Sequence, residues 1–251
     1  MVHIVGAGCG APDLITLRGS RYIAAADVII YAGSLVNPEL LSGAKDGCKI
    51  SDSAKMTLEE ITEKISEAEK SGLMTVRLHS GDPSLYGAIG EEMREMDRLG
   101  IEYDVTPGVS AFSGAAAALK AEYTLPDVSQ TVIITRAAGK TPVPEKENLT
   151  SLASHGATMV LFLSTGLLKK VSEELISGGY SPDTPAAIVY KASWEDEKIC
   201  RCRLADLEET AKANGITKTA LITVGDFLGG EFERSKLYDP GFATEFRGAS
   251  K

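Results

Sequence analysis

The chain has few cysteines and no long apolar run. These two features are the first that limit which class of protein it can belong to. Its 251 residues include four cysteines, which are too few and too scattered for a disulfide framework in a chain of this length. No apolar stretch approaches the roughly 20 residues that a membrane span needs. The first residues enter a strand-like pattern without a basic leader or a signal-type segment, so we expect a cytoplasmic protein with reduced thiols.

The chain also has fewer basic than acidic residues. Lys and Arg total 26 against 35 Asp and Glu, which gives a net charge of −9 and argues against nucleic acid or an anionic membrane as the main partner. A local basic patch can still bind an anionic small molecule, because salt screens charges beyond about 10 Å. The sequence has no metal-ligand cluster, no P-loop and no recognisable Ser/His/Asp arrangement, so hydrolysis and phosphoryl transfer have little support and we assign no metal ligand.

What the chain does contain is the composition of a globular α/β protein. Hydrophobic residues make up 43% and charged residues 24%, close to the usual mix. Strand and helix patterns alternate, which predicts parallel pairing with right-handed crossovers. We predict two α/β domains, residues 1–120 with a mostly parallel sheet and residues 131–235 with a mixed sheet. A linker at 121–130 joins them, and a loose tail follows at 236–251.

A glycine-rich turn, Gly6 to Asp13, follows the first predicted strand. It is similar to a dinucleotide fingerprint, but its spacing is G-x-G-x-G, and Pro12 falls where the Rossmann helix should already be running. A nicotinamide-dependent oxidoreductase would also need an acidic residue at the end of the second strand, where Tyr31-Ala32-Gly33 stands instead. That class, and a non-catalytic nucleotide-sensing module built on the same turn, remain as alternatives.

The stretch from Arg77 to Gly87 organises the rest of the first domain. A buried strand is predicted at Met74–Leu78, turn chemistry at Gly81-Asp82-Pro83, and a helix from Leu85 to Leu99. A third turn, Thr106 to Ser110, precedes a small-residue helix. Ligands of open α/β sheets bind outside the carboxyl ends of the strands, so these turns are candidate ligand loops.

The second half predicts five strands and two helices. The close spacing of its third and fourth strands favours an antiparallel pair and hence a mixed sheet. Between its first two strands lies a long loop, Thr135 to Glu145, which carries Arg136 and Lys140 and is either a binding loop or a plain surface excursion. The predicted strands are Thr131–Thr135, Thr158–Leu163, Ala186–Tyr190, Ile199–Arg203 and Ala220–Val224, and the helices are Leu167–Ser177 and Leu204–Asn214.

Taken together, the opening Val5–Leu17, the Gly81–Gly87 turn and the Thr106–Ser110 turn resemble the tetrapyrrole (corrin/porphyrin) methylase family, and later strands extend the resemblance to about Phe227. The resemblance implies the tetrapyrrole methylase fold. It also implies a homodimer whose two-domain subunits bind S-adenosylmethionine with residues of both domains and hold a tetrapyrrole alongside.

Three further segments, Ser53–Glu60, Arg77–Asp82 and Thr135–Glu145, resemble the precorrin-4/cobalt-precorrin-4 C11-methyltransferases of cobalamin synthesis. The implied activity is S-adenosylmethionine-dependent methylation of C11 on a corrin-pathway tetrapyrrole. Another precorrin or uroporphyrinogen C-methyltransferase of the same family is the alternative, and the sequence leaves open whether the substrate carries cobalt.

The resemblance also transfers site residues motif by motif. Three positions depart from the usual pattern: Cys9 stands in place of Pro, Ser80 in place of Thr, and Lys140 in place of Arg, which loses a forked guanidinium. The implied substrate contacts are Arg136, Lys140 and His79. The implied cofactor contacts are Cys9, Ser80, Gly81, Asp82, Leu85, Ser110, Ala111, Leu163, Ser164, Ala192 and Ala220.

Methyl transfer from a sulfonium needs neither a metal nor a covalent nucleophile from the protein, because positive charge disappears in the displacement and the electron-rich macrocycle is the nucleophile. Positioning can supply most of the rate, with effective molarities of order 10⁵ M or more. We therefore assign no catalytic residue. His79 either shuttles a proton or is a structural histidine of its turn.

Overall fold

The computed structural model describes residues 1–230 and 232–249. It divides into two compact units, Met1–Ala115 with Lys191–Glu197 and Ala116–Tyr190 with Lys198–Lys251. Each unit contains one five-stranded sheet, as an α/β fold with two sheets requires. Within the described ranges, none of the helices has the length and apolar composition that crossing a membrane requires.

The sheet of the first unit is parallel throughout. Its strands are β1 (Val2–Gly6), β2 (Val28–Tyr31), β3 (Lys49–Asp52), β4 (Thr75–His79) and β5 (Tyr103–Thr106), in the order β3-β2-β4-β1-β5. The central strands β1 and β4 are buried along their whole length, as strands covered on both faces must be. The prediction of parallel pairing is confirmed. The edge strand β3 was not predicted, because it is short and mostly exposed.

Four helices, α1 (Leu17–Ala25), α2 (Leu58–Lys70), α3 (Ile89–Leu99) and α4 (Ala111–Leu119), follow the strands of this sheet in the chain. Helix α2 begins with a capping box formed by Thr57 and Glu60. The Glu60 amide donates to Thr57 Oγ1 at 3.3 Å, and the Thr57 amide donates to Glu60 Oε2 at 2.8 Å. Each bond satisfies an amide that the helix itself leaves unpaired.

Helix α3 starts later than predicted. The hydrophobic spacing predicts a start at Leu85, but the helix begins at Ile89. Tyr86 and Ala88 have φ values of 57° and 55°, in the left-handed region that a right-handed helix excludes. A methyl group at Gly87 would lie 2.2 Å from the carbonyl oxygen of Pro83. The segment before Ile89 is therefore a tight turn folded back on itself.

The second unit has the predicted mixed sheet. Its strands are β6 (Val132–Arg136), β7 (Thr158–Phe162), β8 (Pro185–Tyr190), β9 (Lys198–Arg203) and β10 (Ala220–Val224), in the order β6-β7-β10-β8-β9. Only β6 and β7 pair in parallel, and β8 and β9 form the antiparallel pair that their spacing predicts. Helices α5 (Leu149–Ala153), α6 (Leu168–Ser177) and α7 (Leu207–Ala213) contribute to its apolar core, and α5 was not predicted.

The segment at 121–130 has no helix or strand, but two of its side chains are buried. Tyr123 and Leu125 are buried, and the Tyr123 ring packs edge-on against Phe227 with centroids 5.1 Å apart. Burial raises the pKa of the Tyr123 hydroxyl well above its usual range. The boundaries predicted from the sequence, with domains at 1–120 and 131–235, a linker at 121–130 and a tail at 236–251, remain predictions.

The C-terminal segment contains a short 3₁₀ turn at Lys236–Tyr238. The Arg247 guanidinium donates to the carbonyl oxygens of Leu237 and Asp239, at 3.0 and 2.7 Å. These bonds join the segment to itself, while Phe246 stays 91% exposed. Residues 250 and 251 of the predicted tail lie outside the described residues.

The most unusual packing in the first unit is a buried ion pair between β4 and α3. Arg77 and Glu92 are 4% and 6% exposed. The Arg77 guanidinium donates to Glu92 Oε1 through Nε and Nη2, at 3.0 and 2.8 Å, and to Oε2 through Nε at 3.0 Å. Its Nη1 donates to the carbonyl oxygen of Ile30 at 3.2 Å. Burial alone would raise the pKa of Glu92, but His79 and Arg77 outweigh burial and hold that pKa below its usual range.

We predict that Glu92→Gln lowers the free energy of unfolding by about 3–5 kcal/mol at neutral pH, because it leaves the buried Arg77 charge unpaired. Since the pKa of Glu92 is depressed by folding, its contribution is present above about pH 4.3, the ordinary glutamate value, and is lost as the pH falls through the folded value. Urea unfolding at neutral pH and at about pH 3 measures both effects.

The matched control is Glu95→Gln on the same helix, since Glu95 pairs with the exposed Arg98 at 2.9 Å. That variant should change the free energy of unfolding by less than about 1 kcal/mol. Equal losses for the two variants would contradict the assignment of Arg77 and Glu92 as a stability-determining pair.

Candidate functional site

Three glycine backbones touch where β1, β4 and β5 end. A methyl group at Gly6 would lie 2.6 Å from the amide nitrogen of Gly108, and one at Gly108 would lie 2.1 Å from the carbonyl oxygen of Gly81. Gly8 and Gly81 also exchange backbone hydrogen bonds of 3.2 and 2.8 Å. Contacts this close are open only to residues without a side chain. We call this contact of Gly6, Gly81 and Gly108 the glycine junction, and it brings the three predicted turns into one structure.

Asp82 ties the second turn to the third. Its Oδ2 accepts from the Gly108 amide at 2.9 Å, and its Oδ1 accepts from the Ser84 amide at 2.9 Å and from the Ser84 hydroxyl. Burial alone would raise the pKa of Asp82, but these three hydrogen bonds outweigh it and hold the pKa below its usual range. The carboxylate therefore stays ionised at neutral pH and orders the turns.

Other predicted cofactor residues of the first unit gather around the junction. A methyl group at Gly81 would lie 3.5 Å from the Ala111 amide and 3.6 Å from Ser110 Cα, and one at Gly114 would lie 2.7 Å from Cys9 Sγ and 3.4 Å from Ala192 Cβ. Four of the predicted positions, Ser110, Ala111, Cys9 and Ala192, thus surround two glycines, one of which, Gly81, is itself a predicted position. Glycines and small side chains dominate these positions, which leaves little side-chain bulk to keep a ligand away from the backbone.

The segment Lys191–Glu197 belongs to this unit and contributes a residue that the sequence analysis missed. Ser193 Oγ accepts from the Ala11 amide at 3.0 Å and lies 3.4 Å from Cys9 Sγ. Trp194 covers Gly10, where a methyl group would lie 2.2 Å from the indole ring. Ser193 has a φ of 65°, a backbone conformation that the side-chain pattern does not reveal.

Ser80, Leu85 and His79 line a cleft of about 290 Å³ beside the second turn. We call it the His79 cleft. Arg77 and Glu92 also line this cleft. His79 is 4% exposed, and among residues 1–230 and 232–249 its Nε2 has no hydrogen-bond partner, although it lies 3.5 Å from Glu92 Oε2. Within the described part of the chain, no three His, Cys, Asp or Glu side chains lie close enough together to hold a metal ion.

Two predicted cofactor residues of the second unit, Leu163 and Ser164, directly follow β7, and the third, Ala220, begins β10. Leu163 has a φ of 52° and is 68% exposed. Ser164 is fully buried, and its hydroxyl accepts from the Ala137 amide at 2.8 Å and donates to the Phe162 carbonyl at 2.7 Å. The next residue reaches Ala220, since the Thr165 hydroxyl donates to the Ala220 carbonyl at 3.0 Å. An exposed leucine held in a left-handed conformation is a feature of ligand-binding loops.

Arg136 holds its own loop in shape. Its guanidinium donates to the carbonyl oxygens of Thr141 and Pro142, at 3.2 and 2.5 Å. Lys140 is exposed at the tip of the same loop. The guanidinium has five N–H donors, so these bonds leave some donors for a ligand. The substrate-binding role of both residues remains a prediction.

The fold and site define a class: an α/β protein with two sheets whose glycine turns, at the carboxyl ends of parallel strands, form a surface for a small-molecule cofactor. The model of the tetrapyrrole (corrin/porphyrin) methylases matches residues 1–208. The chain belongs to this family.

Comparisons with individual proteins agree. The cobalt-precorrin-4 C(11)-methyltransferase of Methanocaldococcus jannaschii is 53% identical over 251 residues, covering 100% of this chain and 97% of that protein. The solved structure of a cobalt precorrin-4 methyltransferase, described as a cobalamin biosynthetic enzyme, matches with a TM-score of 0.89 and 48% identity over 90% of this chain and 95% of that one. Uroporphyrin-III C-methyltransferase from Thermus thermophilus, complexed with S-adenosylhomocysteine, matches with a TM-score of 0.73 and 26% identity over 90% and 92% of the two chains.

We predict that Gly108→Ala destabilises the protein by about 1–3 kcal/mol, because its methyl group would overlap the Gly81 carbonyl and the turns would have to separate. Gly90→Ala is the control, since Gly90 lies in α3 with no atom within 4 Å of the added methyl group, and it should stabilise the helix by up to about 1 kcal/mol. Thermal unfolding measures both. Equal unfolding temperatures for wild type and Gly108→Ala would show that the glycine junction is not required.

Proposed function

We propose that this protein is an S-adenosylmethionine-dependent C-methyltransferase that methylates C11 of precorrin-4 or cobalt-precorrin-4. The observation that carries the proposal is the glycine junction, because it joins all three family motifs into one surface of backbone and small side chains. The names of the similar proteins supply the substrate class, and the bound ligand of the Thermus thermophilus enzyme supports the cofactor.

The residues of the first unit fit such a cofactor. Gly81 and Ser110 meet at the junction, Cys9 and Ala192 add small side chains, and Leu85 offers an apolar wall in the His79 cleft. In the second unit, the exposed Leu163 presents both an apolar side chain and strained backbone. When bound, S-adenosylmethionine supplies an electrophilic methyl group. The protein's contribution is to orient the two reactants and exclude water, which can account for most of the rate.

The substrate of this reaction is a polyanion, since a tetrapyrrole of this pathway carries several acetate and propionate carboxylates. Arg136 and Lys140 are the cations that we propose to bind them, with His79 close to the macrocycle. We also propose that the protein acts as a homodimer in the cytoplasm. The four cysteines are free thiols, which supports a reducing compartment.

The function is tested by incubating the purified protein with S-adenosylmethionine and, separately, precorrin-4, cobalt-precorrin-4 and uroporphyrinogen III. We expect one methyl group to be added to precorrin-4 or its cobalt form, seen by mass spectrometry and assigned to C11 by NMR. Methylation of uroporphyrinogen III alone would move the protein to another reaction of the family. No methylated product from any of the three would overturn the proposal.

Leu85→Arg tests the cofactor site, because a charged side chain in the His79 cleft would lose its hydration. It should abolish S-adenosylmethionine binding by calorimetry. Leu17→Arg should leave that binding unchanged, since Leu17 is 78% exposed. Unchanged affinity in Leu85→Arg would remove Leu85 from the site.

We predict that Arg136→Ala raises the KM for the tetrapyrrole by roughly ten- to a hundredfold, because a charge-assisted bond to a carboxylate contributes about 1.5–3 kcal/mol. The dissociation constant of S-adenosylmethionine should stay almost unchanged. Added salt should weaken substrate binding more in wild type than in the variant.

Arg203→Ala is the control for removing one positive charge from the same unit, since Arg203 pairs with Asp183 and Asp206 at the surface. It should leave the KM near the wild-type value. If Arg136→Ala also stays within about twofold of wild type, the guanidinium serves the loop alone and Arg136 does not bind the substrate.

A further inference from the structure

One nitrogen of His79 is buried without a hydrogen bond, at the wall of a cleft. His79 is the last residue of β4 and only 4% exposed, and its Nε2 has no hydrogen-bond partner in the part of the chain that the structure describes. Leaving a buried polar atom unsatisfied costs stability, because the atom has lost its hydrogen bonds to water. Such an atom at a cleft therefore requires an explanation, and here the neighbouring charges provide one.

A carboxylate lies beside Nε2, since Glu92 Oε2 is 3.5 Å away. An ionised carboxylate only accepts hydrogen bonds, so this neighbour favours the tautomer with the proton on Nε2. The two nitrogens of an imidazole point in different directions, so Nδ1 does not face the same carboxylate. The favoured tautomer leaves Nδ1 with a free lone pair, ready to accept a proton.

The surroundings also hold Glu92 in place beside the ring. The charged groups at the His79 cleft are Arg77 from β4 and Glu91 and Glu92 from α3, and Tyr86 adds a phenol from the turn. Helix α2 contributes only the apolar Leu58 and Ile61. Because Arg77 already binds Glu92 through both carboxylate oxygens, Glu92 stays ionised and fixed in place. A proton gained at Nδ1 thus produces an imidazolium facing a carboxylate that is held for it.

We propose that His79 is the proton acceptor of the methylation and that Glu92 is its positioning residue, which fixes the tautomer through Nε2–H. This inference rests on the proposed function. It assigns His79 more than substrate contact, and it gives the Arg77–Glu92 pair a purpose that stability alone does not require, since a buried ion pair is often no better than an apolar one.

The balance of the reaction requires such an acceptor. The carbon–sulfur bond of the methyl donor breaks with its electron pair staying on sulfur, and a π electron pair of the macrocycle forms the new carbon–carbon bond. The methylated macrocycle then carries one more positive charge than before. It returns to its original charge by releasing one proton, which His79 Nδ1 takes and later passes to water.

The first test compares His79→Gln with His155→Gln, an exposed histidine of the second unit. Glutamine keeps a donor near Nε2 for Glu92 but has no basic nitrogen, so it preserves a structural role and removes only the proton acceptor. We expect His79→Gln to lower the single-turnover methylation rate on the order of 10²–10³-fold, with unchanged S-adenosylmethionine affinity. The wild-type rate should fall at low pH if His79 is the acceptor, and the His79→Gln rate should not show that fall. His155→Gln should match wild type.

The second test does not depend on activity. The ¹⁵N NMR signals of the His79 imidazole in the intact wild-type protein should show the proton on Nε2 and a bare Nδ1. In Glu92→Gln the amide can donate to Nε2, so the signals should shift toward the other tautomer. Should that variant fail to fold, the wild-type spectrum and His79→Gln decide the question.

The outcomes separate the two proposals. Wild-type methylation together with an unchanged rate and pH profile in His79→Gln would overturn the proton-acceptor role and leave the proposed function standing. A proton on Nδ1 in the wild-type protein would overturn the positioning role of Glu92. Absence of methylation by the wild-type protein would overturn the proposed function itself, and the acceptor role with it.

Discussion

Contact between three peptide backbones determines how the first unit can present a ligand surface. Gly6, Gly81 and Gly108 lie so close that no side chain fits between them, and Asp82 then joins two of the turns through hydrogen bonds. Because the turns begin at the ends of neighbouring strands, the register of β1, β4 and β5 sets where the glycines meet. The sheet and the turns therefore specify each other: a shift in one strand would separate the junction.

Much of this arrangement follows from the sequence. Alternating strand and helix patterns predict parallel pairing, and parallel strands bring their following turns to one edge of the sheet, so a shared site for three distant motifs is foreseeable. The local backbone conformation is harder to predict from the sequence. Hydrophobic spacing places Leu85 in α3, but the left-handed backbone of Tyr86 and Ala88 delays the helix. The side chains carry no mark of this, since the strain is imposed by the packing of the turn.

The charged core of the first unit was equally hidden. Arg77 and Glu92 stand 15 positions apart, on a strand and a helix, and in the sequence each reads as an ordinary charged residue. Only the fold shows that they are buried together next to His79. The same holds for Arg136, which the sequence presents as a free cation and the structure shows bonded to its own loop. A charge's environment is a tertiary property, so the resemblance could transfer the residue but not its bonds.

The segment Lys191–Glu197 has a consequence for how the protein forms during synthesis. It lies between β8 and β9 of the second unit, yet it packs in the first, where Trp194 covers Gly10 and Ser193 binds the Ala11 amide. Domains generally fold in order as the chain leaves the ribosome. Gly10 in the glycine-rich turn after β1 therefore stays without its Trp194 cover until nearly two hundred residues have been translated. The first unit is thus begun first but completed only when most of the second has emerged.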